Sequence, residues 1–464
     1  MHTLTRDLSM LQGVDGIALA GEAAYERGRL AWNLAADQRP AAIAAPRTVA
    51  EVVAAVRAAA SAGLRVAPQS TGHGALPLAA RGLDDAMLLR LDGLTGVQVD
   101  PGRRIARVLG GTLWRDVVVA AAPHGLTALH GSAGDVAVAG YVLGGGLSFY
   151  GRAHGLAAHH VRAFEVVTSG GDVVRASADS HPALFWALRG GGGSFGVVTA
   201  IELELLPIAD VYAGFLLWDI SAAPAVLRAW RDWTGSDAAG QEGPGRDRAV
   251  TTSLRLLRFP PVPELPPFLS GRSLVVVDGA VLAEDDRAVE LLAPLRALAP
   301  ELDTFARIPA VGLLDVHMDP PAPTPGVGDH AMLGALDDTA LTALLDAAGP
   351  GVAEAPMIVE LRQLGGALAE PGDAAVSRLA GEYALLAIDV APAPEFVEPA
   401  FARTGAIVGA MSNWRDGAPY LNFVERASGA EGAFTPEVAE RLRRARAIYD
   451  PLRTFVAAHP VPTA

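Results

Sequence analysis

An imidazole between two glycines is the most chemically suggestive feature of the chain: Gly72-His73-Gly74, inside Arg65-Val-Ala-Pro-Gln-Ser-Thr-Gly-His-Gly-Ala75. Residues 50–64 carry Val and Ala at helical spacing, and residues 64–67 read as a short strand entering a glycine-rich turn. Glycines accept positive φ and close approach, so successive N–H groups of such a turn can converge on a pyrophosphate. The imidazole is then held against whatever ring that pyrophosphate carries. Taken alone, Gly-His-Gly fits a solvated loop histidine equally well. Two more glycine-rich segments change the balance: Gly131-Ser-Ala-Gly-Asp-Val-Ala-Val-Ala-Gly-Tyr-Val-Leu-Gly-Gly-Gly146 and Leu184-Phe-Trp-Ala-Leu-Arg-Gly-Gly-Gly-Gly-Ser-Phe-Gly-Val-Val-Thr199. Further on, period-two alternation puts Tyr420 and Asn422 on one face of a strand over residues 419–424. The same alternation sets Glu360 and Arg362 on one face and Gln363 on the other.

With Arg39-Pro-Ala-Ala-Ile-Ala-Ala-Pro46 upstream, the three glycine-rich segments resemble the FAD-binding domain of vanillyl-alcohol-oxidase-type flavoproteins, in the berberine bridge enzyme-like branch. The resemblance covers most of residues 25–207 and resumes at residues 420–455. It implies an α+β fold: a two-part PCMH-type FAD-binding domain, and a substrate domain whose antiparallel sheet is covered by helices.

The resemblance also implies a covalent bond from His73 to the flavin 8α carbon. The family's usual Arg-Gly-Gly-His is here Gln69-Ser70-Thr71-Gly72-His73, so the histidine and the backbone amides stay while the polar side chains of the loop change. Bicovalent members add a cysteinyl bond from the second segment; Ala133 stands at that position, so attachment is monocovalent. Val136 stands where family members vary between valine, linked with oxygen reactivity, and leucine, linked with poor oxygen access, which favours an oxidase. Gly74, Asp135, Gly140, Leu143, Gly144, Gly145, Gly146, Val161, Gly193, Gly196 and Val198 are expected against FAD. Tyr420-Leu-Asn422 resembles the family's Tyr-x-Asn, which makes Tyr420 the first choice for the base and places Asn422 beside it. Arg362, Gln363 and Glu360 follow as substrate-side candidates, and Arg362 would favour a phenolate on Tyr420. Tyr383 and Asp389 are weaker candidates.

Composition narrows the function classes. At 464 residues and 51% hydrophobic content the chain can bury a large core and divides into two domains. A formal charge of −14 argues against nucleic acid or an anionic membrane surface as partner, so a small-molecule substrate fits better, and the resemblance adds O2 as co-substrate. No run of apolar residues is long enough to span a membrane, and residues 1–33 lack a secretory pattern, so the expectation is cytoplasmic. Cysteine and lysine are both absent, which excludes disulfides, thiolate catalysis, Schiff bases and a Walker lysine. The lysine-free, Ala/Arg/Gly-rich composition suits a GC-rich bacterial genome. Nothing in the sequence bears on oligomeric state.

The elements that must position these groups follow a consistent order. Helix is expected over residues 48–62 and 113–121, and strand over 87–91 and 104–108. A different texture starts near residue 207: strands over 211–220, 250–259, 273–281, 358–368 and 383–390, and helices over 223–234, 285–298, 394–411 and 436–449. The expected domains are 1–207 for FAD, 208–411 for substrate, and 412–464 as a segment returning to the FAD domain. Proline-rich stretches at 259–267 and 319–325 read as loops, at least one of them rimming the substrate entrance.

Two motifs point elsewhere. Gly191-x-Gly193-x-x-Gly196 matches the dinucleotide fingerprint, and Gly192-Gly-Ser-Phe-Gly196 matches a nucleophile elbow on Ser194; both mechanisms need a helix next, and a strand pattern follows instead. His154, His159 and His160 lack a carboxylate at metal-ligand spacing, so no metal is expected. The leading function is an FAD-dependent oxidase acting on an alcohol, an amine or an activated C–H of a secondary metabolite or sugar-like substrate. The alternatives are a non-redox cyclase or isomerase on the same fold, and a serine hydrolase.

Overall fold

The computed structural model describes residues 7–235, 242–263, 265–427 and 430–462; Glu264 of the first proline-rich loop and residues 1–6 lie outside it. Three sheets organise the described residues. A small mixed sheet runs in the order Ile17–Leu19, Ala42–Ala44, Ala86–Arg90, Arg65–Gln69, with the last three strands parallel. Its crossover is the helix Val49–Ser61, which the Thr48 hydroxyl caps by accepting from Glu51 N, and which buries Val52, Ala55, Val56 and Ala59 on one stripe. Val66 N donates to Thr454 O and Val456 N to Val66 O, so residues 454–456 lie along the free edge of this sheet.

The second sheet is antiparallel in the order Val97–Asp100, Ile105–Leu109, Val197–Glu204, Val161–Val167, Val173–Ser177. Its core takes in Trp114, Val138, Phe164, Phe185 and Val161. The third sheet is also antiparallel and runs from Leu302–Asp303 through Asp210–Asp219, Ser273–Val281, Val250–Arg258, Ile358–Gln363 and Tyr383–Val390 to Gly326–Leu333. Strand Ala306–Pro309 also pairs with Asp210–Asp219.

Helices Ala223–Thr234, Asp285–Arg296, Asp338–Ala348 and Val397–Ala410 pack on one face of the third sheet. Alternation along each strand decides which residues face them. Val359 and Leu361 join that core, so Ile358, Glu360 and Arg362 point to the opposite face. Among the described residues no helix is long and apolar enough to cross a membrane, and no cluster of His, Asp and Glu could hold a metal.

Candidate active site

A cavity of about 490 Å³ lies between the glycine-rich segments and the bare face of the third sheet. Gln69, Ser70, Thr71, Gly72, His73 and Gly74 line it from the first segment. Ala133, Val136, Gly140, Leu143 and Gly144 line it from the second, and Gly193, Gly196 and Val198 from the third. Tyr420, Asn422 and Arg362 complete the wall. The structure thus gathers most of the expected residues around one space. Asp135, Gly145, Gly146 and Val161 are not among the lining residues; Val161 sits in the core of the second sheet, where the start of its strand buries it.

His73 follows the strand Arg65–Gln69, and its ring stacks on Trp32 with centroids 4.1 Å apart and planes 17° from parallel. Thr71 Oγ1 lies 2.8 Å from its Nδ1. Its Nε2 is buried without a hydrogen-bond partner and lies 3.7 Å from Asp135 Oδ1, while Trp32 Nε1 donates to Asp135 Oδ2 at 2.6 Å. Burial pushes the Asp135 carboxyl up, but His73 and Trp32 outweigh it and hold the group below its usual range. Gly72 has φ +84, and a Cβ there would stand 2.8 Å from the Ala31 methyl. An orphaned ring nitrogen beside amide-rich turns fits a flavin dinucleotide better than it fits a solvated loop.

Tyr420 and Asn422 meet by a different route from the expected strand. Residues 421–423 form a single 3₁₀ turn, Leu421–Phe423. Asn422 Nδ2 reaches back to the Tyr420 hydroxyl at 3.1 Å and to Tyr141 O at 2.9 Å. The turn is held by His330 Nε2, which accepts from Tyr420 N at 3.0 Å. Gly144 is what admits Asn422: a Cβ there would fall 1.7 Å from Asn422 Oδ1. Gly145 and Gly146, at φ +118 and +81, bend the backbone around the two tyrosines; a Cβ on Gly145 would lie 3.3 Å from the Tyr420 ring, and one on Gly146 would strike Tyr141.

Burial raises the Tyr420 phenol well above its ordinary value, against Asn422, the Gly146 and Leu147 backbone, and Arg362. Arg362 pulls the phenol down, as expected, but desolvation outweighs it, so the balance favours the neutral phenol over a phenolate. Arg362 is engaged elsewhere, with Nε donating to Glu360 Oε1 at 2.6 Å. Glu360 is buried behind it, its carboxyl pushed up by burial but held far below its usual range by Arg362 and His317. Gln363 points to the helix side, donating to Gly245 O at 2.7 Å and accepting from Thr252 Oγ1. Tyr383 bonds Thr234 and Asp389 pairs with Arg403, both away from the cavity.

Sequence reasoning missed several groups. Tyr141 lines the cavity with its hydroxyl buried and without a partner. Glu425 also lines it, its Oε2 unpartnered and its acid pushed up to about 8 by burial. Behind Arg362 lies a buried charge cluster. Asp278 Oδ2 contacts Arg255 at 2.5 Å and His317 Nδ1 at 2.9 Å, and His317 Nε2 lies 3.7 Å from Glu360 Oε1 and 3.9 Å from Asp319 Oδ1. Burial and Arg255 push the His317 imidazole down, but Asp278, Asp319 and Glu360 carry it to about 9. Cross-strand pairing of Arg255 with Glu360, and of Ser253 with both Asp278 and Arg362, assembles this cluster. No local motif announces it.

The competing motifs resolve on geometry. Strand Val197–Glu204 follows Gly196 where a dinucleotide helix or a nucleophile elbow needs a helix, and the Ser194 hydroxyl is fully buried. His159 Nε2 faces Val376 O and His160 Nε2 faces His154 O.

A family described as FAD binding domain matches residues 40–177. Among curated proteins, the (R)-6-hydroxynicotine oxidase of Paenarthrobacter nicotinovorans is 36% identical over 196 residues, 42% of this chain and 42% of its own length. The glucooligosaccharide oxidase of Sarocladium strictum is 35% identical over 207 residues, 44% of this chain and 41% of its own length. The match thus spans about two fifths of either relative. Among solved structures, a berberine bridge enzyme-like protein of Physcomitrella patens shares the fold at TM-score 0.81 and 20% identity, covering 98% of both chains. The 6-hydroxy-D-nicotine oxidase of Arthrobacter nicotinovorans shares it at TM-score 0.79 and 23% identity, covering 95% of this chain and 96% of that one.

Proposed function

We propose that the chain is a flavoprotein of the vanillyl-alcohol-oxidase type and that it works as an FAD-dependent oxidase taking a hydride from an alcohol, amine or sugar-like substrate. Residues 1–207 and 412–464 hold the cofactor, and residues 208–411 face the substrate. Bound FAD supplies the two-electron acceptor, and dioxygen regenerates it with release of hydrogen peroxide. The convergence of His73 and Tyr420 on one cavity supports this reading above all.

His73 is the attachment point. Thr71 holds one ring nitrogen and Asp135 faces the other, so Asp135 would steady the ring and offset positive charge on an alkylated imidazole. Asp135 is itself fixed by Trp32. On the substrate side, Tyr420 presents a neutral hydroxyl held by Asn422, suited to a hydrogen bond with the substrate's oxygen or nitrogen. Arg362 adds fixed positive charge at the same wall, locked in direction by Glu360. Val136 leaves room for dioxygen.

Acid precipitation of the purified protein tests the reading. The pellet keeps its yellow colour in the wild type, and His73→Ala releases the flavin to the supernatant. A colourless wild-type pellet over a yellow supernatant would overturn covalent attachment, and a colourless native protein would overturn the oxidase reading altogether.

A further inference from the structure

Oxidases of this fold act on quite different molecules, and similar identity to an alkaloid oxidase and to a sugar oxidase leaves the substrate class open. The wall that the third sheet and its loops give to the cavity is more decisive. From residues 208–411 that wall is built of Asp319, Pro320, Thr324 and Arg362, the glycines 326 and 328, and an aliphatic floor centred on Ile358, Leu386, Ile388 and Val390. The floor is continuous. Ile358 pairs across strands with Ile388, Ile388 with Gly328, and Val390 with Gly326, so two bare glycines lie level with the aliphatic side chains. Among the described residues of this wall three carry polar side chains, and each has a partner of its own: Asp319 accepts from Ser132 Oγ at 2.7 Å, Arg362 donates to Glu360, and Thr324 donates to Ala322 O.

We propose that the substrate is a compact amine or alcohol with an apolar, aromatic or alkyl body and one reacting heteroatom, and that oligosaccharides are excluded. This rests on the oxidase reading above. A sugar carries a hydroxyl on nearly every carbon, and each one buried against Ile358 or Ile388 would lose water and find no partner. Such an unmatched hydroxyl weakens binding by roughly tenfold or more. An apolar body gains where the sugar loses. The single reacting heteroatom has its partners in the same cavity, where the Tyr141 hydroxyl is buried and unpartnered and the Tyr420 hydroxyl is held by Asn422. One further polar group touches the floor: the Glu425 side chain passes over Gly328, and its unpartnered carboxyl suits the nitrogen of an amine better than an array of hydroxyls.

The test titrates the anaerobic holoprotein with cinnamyl alcohol and N-methylbenzylamine on one side, and with cellobiose and xylobiose on the other. Flavin absorbance and melting temperature are read together. At least one apolar probe should saturate a change in both signals, and neither disaccharide should do so. Ile388→Asn should weaken the apolar probe by roughly tenfold or more and leave the flavin spectrum intact. Saturation by a disaccharide, or no response to either apolar probe, overturns the inference. Melting shifts need no flavin, so a colourless protein sinks the oxidase reading while the same panel still decides what the pocket prefers.

Discussion

Titration of His317 offers a quantitative test of the buried charge cluster. Its side chain is 3% exposed, with Asp278, Glu360 and Asp319 all within 4.0 Å of a ring nitrogen. Those carboxylates carry the imidazole from 6.5 to about 9. Because the folded value is the higher one, the stabilisation is complete below about pH 6.5 and is lost as the pH rises through about 9. At about 1.4 kcal/mol for each tenfold change in proton affinity, the swing is about 3 kcal/mol.

Other buried groups frame the measurement. Glu425, raised to about 8, loses stability over a window that overlaps the lower half of this one. His130, His330 and His459, held near 4 by burial, weaken the fold only below about pH 6.5. The informative quantity is therefore the difference between wild type and His317→Asn, which keeps a polar group beside Asp278 but cannot titrate. Urea unfolding of both holoproteins from about pH 6 to about pH 10 should show wild type ahead by about 3 kcal/mol at the acid end, with the two curves converging at the alkaline end. Parallel curves would refute the idea that His317 is a buried cation.

Tyr420→Phe removes one hydroxyl and should leave FAD content unchanged while slowing anaerobic flavin reduction by about 10²- to 10⁴-fold, or roughly 3 to 5 kcal/mol. A loss below about threefold would move the role elsewhere, with Glu425 next to test. Val136→Leu should slow reoxidation of dithionite-reduced enzyme by O2, and an unchanged rate would mark Val136 as ordinary packing. Gly144→Ala drives a methyl into Asn422 and should lower stability by about 1 to 3 kcal/mol; adding Asn422→Ala should restore it, and wild-type melting of the single variant would contradict the contact.

Elements with strong periodicity were legible in the sequence. Helices Ala223–Thr234 and Pro436–Tyr449 and strands Ser273–Val281 and Tyr383–Val390 coincide with the expected ranges, because their apolar stripes are long enough to fix one period. The expected helix over 394–411 begins later, at Val397, after a 3₁₀ turn over Pro394–Phe396. Tyr420 and Asn422 misled in type but not in proximity. Residues 419–424 alternate like a strand yet have no ladder to join, since Pro419 lacks a donor, His330 takes the Tyr420 N–H, and the Asn422 side chain closes a local turn. The His317 cluster was invisible because its members lie on separate strands and a loop, and only the register of the third sheet brings them together. Tyr141 was hidden for a related reason: inside Val138–Leu143 it looks like one more apolar helix position.

The strap of residues 454–456 along Arg65–Gln69 has a consequence for how the protein is made. Val456 to His459 line the cavity along with Trp32 and His73, so the cofactor's enclosure joins residues synthesised at widely separated times. A nascent chain can fold the helix Val49–Ser61 and the strands around it early, but Arg65–Gln69 remains an open edge until residue 456 has been made and has docked. The cavity wall is therefore complete only once residues 456–459 are in place. Chains stalled or cut before that point would carry an unpaired strand edge and an open cavity, which makes them substrates for chaperones and proteases rather than partly active enzyme.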